Sequence, residues 1–194
     1  ALSVGIGFGL QNIVSNFVSG IILLLERPIK PGDRIAIGDE EGFVKKVSIR
    51  STVINTVKNV DIIIPNADLI TNQVVNQTFH NYRWRVTVKV GVAYGSDIRL
   101  VEKCLYEIAF NHPEIIKEGV EKPKVFFTAF GDSSLNFELW ATIRNVNLKY
   151  LVLSEMNFAL DDLFKKNHIT IPFPQRDLHI KDWPPLPGGL PNES

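Results

Sequence analysis

Residues that could bind a metal ion or act as a nucleophile are few in this chain of 194 residues, and they lie far apart. The four histidines and the single cysteine have none of the short spacings that protein metal sites use. We therefore expect structural or surface roles for them, with no metal site and no catalytic group. These residues are His80, His112, His168, His179 and Cys104. A lone cysteine also excludes a disulfide within the chain, which fits a reducing compartment.

Two short segments invite a chemical interpretation. Asp39–Glu41 could bind a cation, but it lies between two glycines, and we expect a solvated turn. Gly5–Gly9 contains three glycines, yet the dinucleotide-binding pattern G-x-G-x-x-G would require a further glycine where Leu10 or Asn12 stands. No strand is expected before this segment either, so we predict no phosphate cradle and no cofactor.

The charges of the chain balance, because Lys plus Arg and Asp plus Glu each total 21 and the net charge is +0. The composition therefore gives no global attraction to nucleic acid, and no basic stripe is interleaved with aromatic residues. A hydrophobic content of 45% supports real cores and excludes a wholly disordered chain. The length suffices for one large or two small domains after an N-terminal helix.

The first twenty-five residues carry no charged side chain before Glu26, and they predict a transmembrane helix that lines a pore. A straight helix of that length runs roughly 37 Å, which is enough to cross a hydrocarbon core of about 30 Å. A buried helix of a soluble protein is the main alternative, and the absence of charge disfavours it. A secretory signal fits less well, because a basic n-region and a starting methionine are missing. We expect further helices upstream of the chain.

Small residues recur on this helix at the spacing that lets backbones approach closely in a membrane. Glycine costs roughly 1 kcal/mol in a helix interior relative to alanine, so close packing should offset it. The residues predicted to pack in this way are Ala1, Gly5, Gly7 and Gly9. The bulky Val4 and Phe8 lie one turn apart, and in a ring of copies they would point at the axis as a gate.

The second half of the helix has an amphipathic pattern, with a polar and an apolar face. The polar residues are Asn12, Ser15, Asn16 and Ser19. The apolar residues, which we expect at the membrane interface, are Ile13, Phe17, Ile21 and Leu24. A polar stripe against acyl chains would be costly, so we expect a kink at Gln11 and Asn12, after which the helix lies along the membrane boundary. If the helix ran straight throughout, this division would fail.

Basic residues follow the apolar stretch closely, at Arg27, Lys30 and Arg34. By the positive-inside tendency, they place the chain after about residue 27 on the cytoplasmic side of the membrane. Pro28 should turn Arg27 away from helical backbone angles, so the helix is expected to stop near Glu26.

Short runs of β-branched residues come next and predict five strands in a small, strongly bent sheet or partly open barrel. The strands are expected at Arg34–Ile37, Phe43–Ile49, Thr52–Val57, Val60–Ile64 and around Val74 and Val75. Pro65 and Asn66 should end one strand and begin a single helical turn through Leu69.

Longer elements follow from Tyr82, in the order βαββαβ of a ferredoxin-like sandwich. The strands are expected at Trp84–Ala93, Lys124–Phe130, Leu135–Ile143 and His168–Ile171, the last resumed at Leu178–Ile180. One helix should begin at Ser96 or Asp97 and end at His112–Pro113, and a second should span about 148–167. The proline-rich tail at 183–194 has no core of its own, and we expect it to be extended.

Several stretches resemble the small-conductance mechanosensitive channel family (MscS-like), and the resemblance runs from Ala1 to about His179. The helix ALSVGIGFGLQNIVSNFVSGIILLLERP is the most specific match, followed by IIIPNADLI, GVAYGSD, VFFTAFGDSSLNFEL and IPFPQRDLHI. The helix and VFFTAFG look most similar to the large, potassium-dependent branch of this family (MscK-like). The last dozen residues match little of it.

The resemblance implies a membrane protein with an α+β cytoplasmic part. Its parts would be a kinked pore-lining transmembrane helix at 1–26, an Sm-like small β-barrel domain at 27–81, a ferredoxin-like α/β domain at 82–176, and a C-terminal strand and extended tail at 177–194. Seven copies would form a homo-heptamer in the bacterial inner (cytoplasmic) membrane, with a cytoplasmic vestibule and side portals. The family's two apolar gate rings fall on Val4 and Phe8, where family gates often carry leucine, and its helix break falls on Gln11–Asn12.

We therefore expect a non-enzymatic mechanosensitive ion channel that opens under membrane tension and releases ions and small osmolytes during hypo-osmotic shock. Its partners would be membrane lipids, the permeating solutes and further copies of the chain, with no nucleic acid. One alternative is a membrane-anchored Sm-like ring that binds RNA or another partner, which the neutral charge disfavours. Another is an enzyme docked to the membrane, which would need a pocket of perturbed ionisable groups.

Overall fold

The computed structural model describes residues 2–179 and 181, with side chains in the first helix from Gly9 onward. In chain order the helices and strands are α1 (Leu2–Glu26), β1 (Arg34–Ile37), β2 (Glu40–Val47), β3 (Ser51–Thr56), β4 (Asp61–Pro65), α2 (Asn66–Thr71), β5 (Val75–Asn76), β6 (Trp84–Val92), α3 (Ile98–Asn111), β7 (Lys124–Phe130), β8 (Leu135–Ile143) and α4 (Lys149–Lys166). The predicted order of helices and strands is confirmed as far as α4, with ends that shift by a few residues.

The end of α1 lies where the sequence predicted it, at Glu26. Arg27 has a positive φ of 52°, and its N–H donates to the carbonyl oxygen of Leu23 over 3.1 Å, which closes the last turn. Because Pro28 disfavours helical angles in the residue before it, Arg27 cannot extend the helix. The chain therefore turns away from α1 and reaches β1 through a short connection.

The strands β1 to β5 form one antiparallel sheet in the order β4-β3-β2-β1-β5, which together with α2 we call the β domain. The register shifts between Val44 and Lys46, and such a bulge bends a strand and increases its twist. The core of this domain consists of Leu23, Ile29, Ile35, Val44, Ile54 and Leu69. Leu23 belongs to α1, so the end of the helix is part of the β domain's hydrophobic core.

The solvated turn predicted at Asp39–Glu41 is wrong for Glu41. The turn has only two residues, because β2 already begins at Glu40. The first of them, Gly38, has a φ of +57°. Glu41 pairs with Ala36 across the hairpin, and its side chain is only 15% exposed. A glycine with a positive φ permits a two-residue hairpin, so β2 starts earlier than the spacing of the glycines suggested.

The strands β6 to β8 form a second antiparallel sheet in the order β6-β8-β7, and α3 and α4 pack on it to form what we call the α/β domain. α3 begins as predicted, because the Asp97 side chain accepts hydrogen bonds from the backbone N–H groups of Arg99 and Leu100. Its core draws on both helices and on β6 and β8, and includes Val88, Val92, Val101, Leu105, Leu139, Ile143, Met156 and Phe164.

The final strand predicted at His168–Ile171 is wrong, since these residues belong to no strand. They make one backbone contact beside β6, where the N–H of Ala93 donates to the carbonyl oxygen of Thr170 over 2.8 Å. Pro172 and Pro174 follow at once and lack the N–H groups that would continue the pairing. Three of the four predicted strands of the ferredoxin-like sandwich therefore form a sheet within the described residues.

The remaining expectations concern the ends of the chain and the domain boundaries. Leu178 and His179, where the last strand was expected to resume, are not in a strand, and Ile180 lies outside the described residues. Ala1 and the tail from residue 182 also lie outside them. The hydrophobic cores of the β domain and the α/β domain share no residue. The predicted boundaries after residues 26, 81 and 176 stay predictions.

Candidate functional site

The gate residues predicted from the sequence lie near the start of α1. The backbone is helical from Leu2 onward, so Val4 and Phe8 are one turn apart on the helix. Their side chains lie outside the described part of the chain, as does Ala1 as a whole. The gate therefore stays a prediction.

The glycine face of α1 is open at Gly9, the first position whose surroundings are described. A Cβ atom built on Gly9 would meet nothing within 4 Å among the described residues. Gly5 and Gly7 lie on the same helix, within its first turns. Close packing at Gly9 therefore needs a partner beyond these residues, and the predicted packing of helices stays a prediction.

α1 is one continuous helix that passes through Gln11 and Asn12. The side chain of Asn16 donates through Nδ2 to the carbonyl oxygen of Asn12 over 2.9 Å. Polar side chains that bond the carbonyl group one turn earlier slightly destabilise a helix and can bend it without breaking it. The predicted change of direction at Gln11 and Asn12 stays a prediction.

The apolar stripe on the second half of α1 is exposed on the single chain. The predicted interface residues, whose exposed fractions run from 41% to 65%, are Ile13, Phe17, Ile21 and Leu24. Ser19 and Leu23 lie on a different face and are buried, with Leu23 in the core of the β domain. The stripe is thus available to lipid or to another chain, and its predicted place at the membrane interface stays a prediction.

Among the described residues, α1 is the one helix that is long and apolar enough to cross a membrane. Only 17% of its apolar window Gly9–Glu26 is buried within the chain. A core helix of a soluble protein is mostly buried, so this alternative for α1 is not favoured.

The polar side of α1 rests on a network centred on Asn66, which is fully buried. Its Oδ1 atom accepts a hydrogen bond of 2.9 Å from Thr52 Oγ1. Its Nδ2 atom donates to the backbone carbonyl oxygens of Ser48 and Ile49 over 2.8 and 3.0 Å. Its backbone N–H donates to the carbonyl oxygen of Arg50 over 3.1 Å. These bonds hold the connection between β2 and β3 against the start of α2.

Two contacts join this network to α1. Asn16 Oδ1 accepts a hydrogen bond of 3.0 Å from the backbone N–H of Ala67, the residue after Asn66. One turn later, α1 comes so close that a Cβ atom on Gly20 would overlap the carbonyl oxygen of Ile49. We call these five residues, Asn16, Gly20, Ile49, Asn66 and Ala67, the helix seat. The helix seat fixes the second half of α1 on the β domain.

The helix seat was not predicted from the sequence. Asn16 was assigned to a polar stripe without a partner, and Asn66 was assigned to the end of a strand and the start of a helical turn. A usable signal was present, because Asn16 and Gly20 are i, i+4 neighbours, and a glycine beside a polar residue marks a helix face that another backbone can approach. The partner of Asn16 is Ala67, which lies 51 residues away, and nothing local identifies it.

Two of the residues that were considered for other chemistry, His112 and Cys104, have structural partners. His112 Nε2 lies 2.9 Å from Glu155 Oε2, and His112 Nδ1 accepts a hydrogen bond of 3.2 Å from the N–H of Glu114. Asn167 Nδ2 donates to the buried sulfur of Cys104 over 3.7 Å, and burial raises the pKa of this thiol. Within residues 2–179 and 181, no group of His, Cys, Asp and Glu side chains could hold a metal ion.

Both domains match known sequence families. Residues 12–79 match a family described as the β-domain of mechanosensitive ion channels. Residues 86–171 match a family described as the C-terminal part of the mechanosensitive ion channel MscS. Together the two matches cover most of α1 and nearly all of the β and α/β domains.

Individual relatives agree with these matches. The mechanosensitive channel MscK of Escherichia coli is 42% identical over 180 residues, which cover 93% of this chain and 16% of that protein. An uncharacterized MscS family protein of Haemophilus influenzae is 41% identical over 182 residues, which cover 94% of this chain and 16% of the relative. The crystal structure of Helicobacter pylori MscS in its closed state superimposes with a TM-score of 0.86 at 28% identity, covering 94% of this chain and 71% of that one.

The succession of an apolar helix, a small β domain and an α/β domain thus resembles that of H. pylori MscS. The chain belongs to the MscS family of mechanosensitive ion channels. It spans 16% of the length of the two bacterial relatives with the strongest identity above.

Replacing Asn66 with alanine should loosen the helix seat, because Thr52 Oγ1 and two backbone carbonyl oxygens lose a buried partner. An unsatisfied buried polar group costs about 1–3 kcal/mol, so the backbone amides of α2 and β3 should exchange roughly tenfold faster. Hydrogen–deuterium exchange of the detergent-solubilised protein measures this rate. Asn72→Ala is the matched control, since Asn72 is exposed just after α2. Equal exchange in the two variants would contradict a central role for Asn66.

Gly20→Ala should push α1 away from Ile49, because the added Cβ overlaps that carbonyl oxygen. Gly9→Ala is the control, since it makes the same change on the same helix where the added Cβ meets nothing within 4 Å. Alanine is favoured over glycine by about 1 kcal/mol in a helix interior, so Gly9→Ala should keep or raise the melting temperature. Gly20→Ala should lower it, as calorimetry of the purified protein can measure. A Gly20→Ala melting temperature as high as that of Gly9→Ala would mean that the seat is not tight.

Proposed function

We propose that this chain is part of a channel in the bacterial inner membrane that opens under tension and releases ions and small osmolytes during hypo-osmotic shock. The observation that carries the proposal is the helix seat, in which Asn16 and Gly20 fasten an apolar helix to a β domain of the mechanosensitive channel family. A helix that meets lipid on one side and a cytoplasmic domain on the other can carry force between them.

The gate acts through the cost of wetting an apolar constriction. In a ring of copies, Val4 and Phe8 would narrow the pore so that water leaves it, and ions then cannot pass. Membrane tension favours whichever state occupies the larger area in the bilayer. A ring of α1 helices that tilts and expands has the larger area, and its constriction becomes wide enough to fill with water.

The second half of α1 couples this movement to lipid. Its exposed apolar stripe, which ends at Leu24, would lie along the membrane boundary after a kink at Gln11 and Asn12. Its other side is held by Asn16 on the β domain. Because lipid contact and area differ between the two states, tension changes their populations.

The proposed assembly is a homo-heptamer with the chain after about residue 27 in the cytoplasm. The open face at Gly9 and the exposed stripe support assembly with further copies, since neither is covered by the described residues of its own chain. The small residues would let neighbouring helices slide past one another. Residues 1–25 carry no charged side chain, so the part of the pore that they line should discriminate weakly among ions.

The two alternatives are less well supported. Both matched family descriptions concern ion channels, and a net charge of +0 gives no general affinity for RNA. Salt-dependent binding of RNA by the part after residue 27 would revive the hypothesis of an RNA-binding ring. The channel names of the relatives likewise point to a non-enzymatic role.

Phe8→Ser should open the channel at lower tension, because a hydroxyl group favours water in the constriction. Burial of a phenylalanine side chain is worth about 1.5–3 kcal/mol, and the change repeats in every copy of a ring. Patch recordings of membranes with a calibrated tension measure the threshold. Phe158→Ser is the control, since Phe158 is 73% exposed on α4 and far along the chain from α1. A threshold for Phe8→Ser that is unchanged or higher would contradict this gate.

Gly9→Leu should hinder packing between neighbouring α1 helices, because a bulky side chain enters the face that another backbone must approach. We expect altered conductance or altered opening tension in single-channel recordings. Gly9→Ala serves as the comparison, because alanine still permits close approach in such faces. If records of Gly9→Leu match those of the parent channel, the proposed packing through this face is wrong.

A further inference from the structure

The β domain and the α/β domain are joined mainly by polar contacts. Within residues 2–179 and 181, their hydrophobic cores are separate, so no shared apolar cluster fixes one domain on the other there. Among the described residues, the side-chain hydrogen bonds between the two domains all converge on Arg34 and Glu41. Domains without a large apolar interface move relative to one another by default, so these bonds decide how firmly the two are held.

The centre of this joint is the carboxylate of Glu41, which receives bonds from both domains. Within the β domain, Arg34 Nε donates to Glu41 Oε1 over 2.8 Å. From the α/β domain, Lys149 Nζ donates to both carboxylate oxygens over 2.6 and 2.8 Å, and the Tyr150 hydroxyl group donates to Oε2 over 3.2 Å. Arg34 Nη1 also donates to Asn147 Oδ1 over 3.4 Å. We call these five residues the joint.

The charges of the joint are largely withdrawn from water. The side chains of Arg34, Lys149 and Glu41 are 3%, 12% and 15% exposed. Burial by itself would raise the pKa of Glu41, but the hydrogen bonds and charges of Arg34 and Lys149 outweigh it and lower this pKa to about 2. Glu41 is therefore ionised at any physiological pH, and the joint does not switch with pH in that range.

The joint contains two cations and one anion, and aromatic rings help to hold the cations. The guanidinium carbon of Arg34 lies 5.2 Å from the ring centroid of Phe43 and 5.9 Å from that of Tyr150. Lys149 Nζ lies 5.1 Å from the ring centroid of Trp84. Aromatic faces attract such cations, but they do not replace the single carboxylate. Loss of Glu41 would leave two like charges side by side at a buried place, whereas loss of Lys149 leaves one balanced pair.

The joint lies close to α1 along the chain. Arg34 is the first residue of β1, the strand that follows α1. The connection between them is bound to β2 by two backbone hydrogen bonds. The N–H of Gly32 donates to the carbonyl oxygen of Val44 over 2.8 Å, and the N–H of Val44 donates to the carbonyl oxygen of Asp33 over 2.8 Å. The same β domain carries the helix seat. One small domain therefore contacts both α1 and the α/β domain.

We propose that Glu41 holds the α/β domain against the β domain and thereby restrains movement of the β domain, to which α1 is bound. This inference rests on the proposed function as a tension-gated channel. A β domain fastened to the α/β domain cannot follow α1 freely, so part of the force on the helix works against the joint. When the joint is broken, the β domain can follow the helix, and less tension is needed to open the pore.

The first test measures the joint itself and does not depend on channel activity. Residues 79–83 connect the domains, and the N–H of Val146 donates to the carbonyl oxygen of Tyr82 over 2.7 Å. Chymotrypsin, which cuts after Phe79 and Tyr82, should therefore cut faster when the domains separate and release this segment. Glu41→Gln should raise the rate of cleavage there about tenfold, the factor that corresponds to one hydrogen bond to a charged group. Mass spectrometry of the detergent-solubilised protein identifies and times these cuts.

Glu138→Gln is the matched control, because Glu138 also accepts hydrogen bonds from a lysine and an aromatic side chain. Its partners, Lys89 and Trp140, lie with it in the α/β domain, so the joint stays intact and cleavage should not change. Lys149→Met, which leaves Arg34 and Glu41 paired, should give a smaller increase than Glu41→Gln. If Glu41→Gln fails to fold, the cleavage rate of Lys149→Met alone tests whether the joint holds the domains together.

The second test records tension-activated currents of the same variants in lipid vesicles. We expect a lower opening tension for Glu41→Gln, a smaller decrease for Lys149→Met, and the parent value for Glu138→Gln. Unchanged cleavage in both Glu41→Gln and Lys149→Met would show that the joint does not hold the two domains together. Faster cleavage with an unchanged or higher opening tension would show that the joint does not restrain gating. Absence of tension-activated current in the parent protein would contradict the proposed function instead. The cleavage rates would still show whether the joint holds the two domains together.

Discussion

The structure depends on how one buried amide, that of Asn66, distributes its hydrogen bonds. The side chain lies in a place without water, and each of its polar atoms is paired with a group of the β domain. The next residue, Ala67, gives its backbone N–H to Asn16 of α1. A polar network that is fully paired is rigid, and rigidity here keeps the helix and the small domain in one fixed arrangement.

α1 carries two kinds of surface, and the protein covers only one of them. The side with Asn16 and Gly20 finds its partners in the protein, while the side with Ile13 and Phe17 is left uncovered by it. Under the proposed function, a helix divided in this way meets lipid on one side and the β domain on the other. In that arrangement, lipid acts on the protein through α1 without contacting the β domain.

The features that arise from neighbouring residues were predicted well from the sequence, and those that arise from distant residues were not. Pro28 after Arg27 located the end of α1, and the runs of β-branched residues located β1 to β4. The burial of Glu41 was missed, because it depends on Lys149 and Tyr150, more than a hundred residues later. The fourth strand of the sandwich was predicted at His168–Ile171, but Pro172 and Pro174 lack the N–H groups that would continue its pairing.

The separation of the two hydrophobic cores has a consequence for how the protein can vary. Changes inside the α/β core, around Leu105 and Met156, alter the stability of that domain without disturbing the packing beneath α1. The heat tolerance of the α/β domain can thus change through residues that take no part in the helix seat or the joint. Under the proposed function, a lineage could adapt this domain to a new temperature while its response to swelling stays the same.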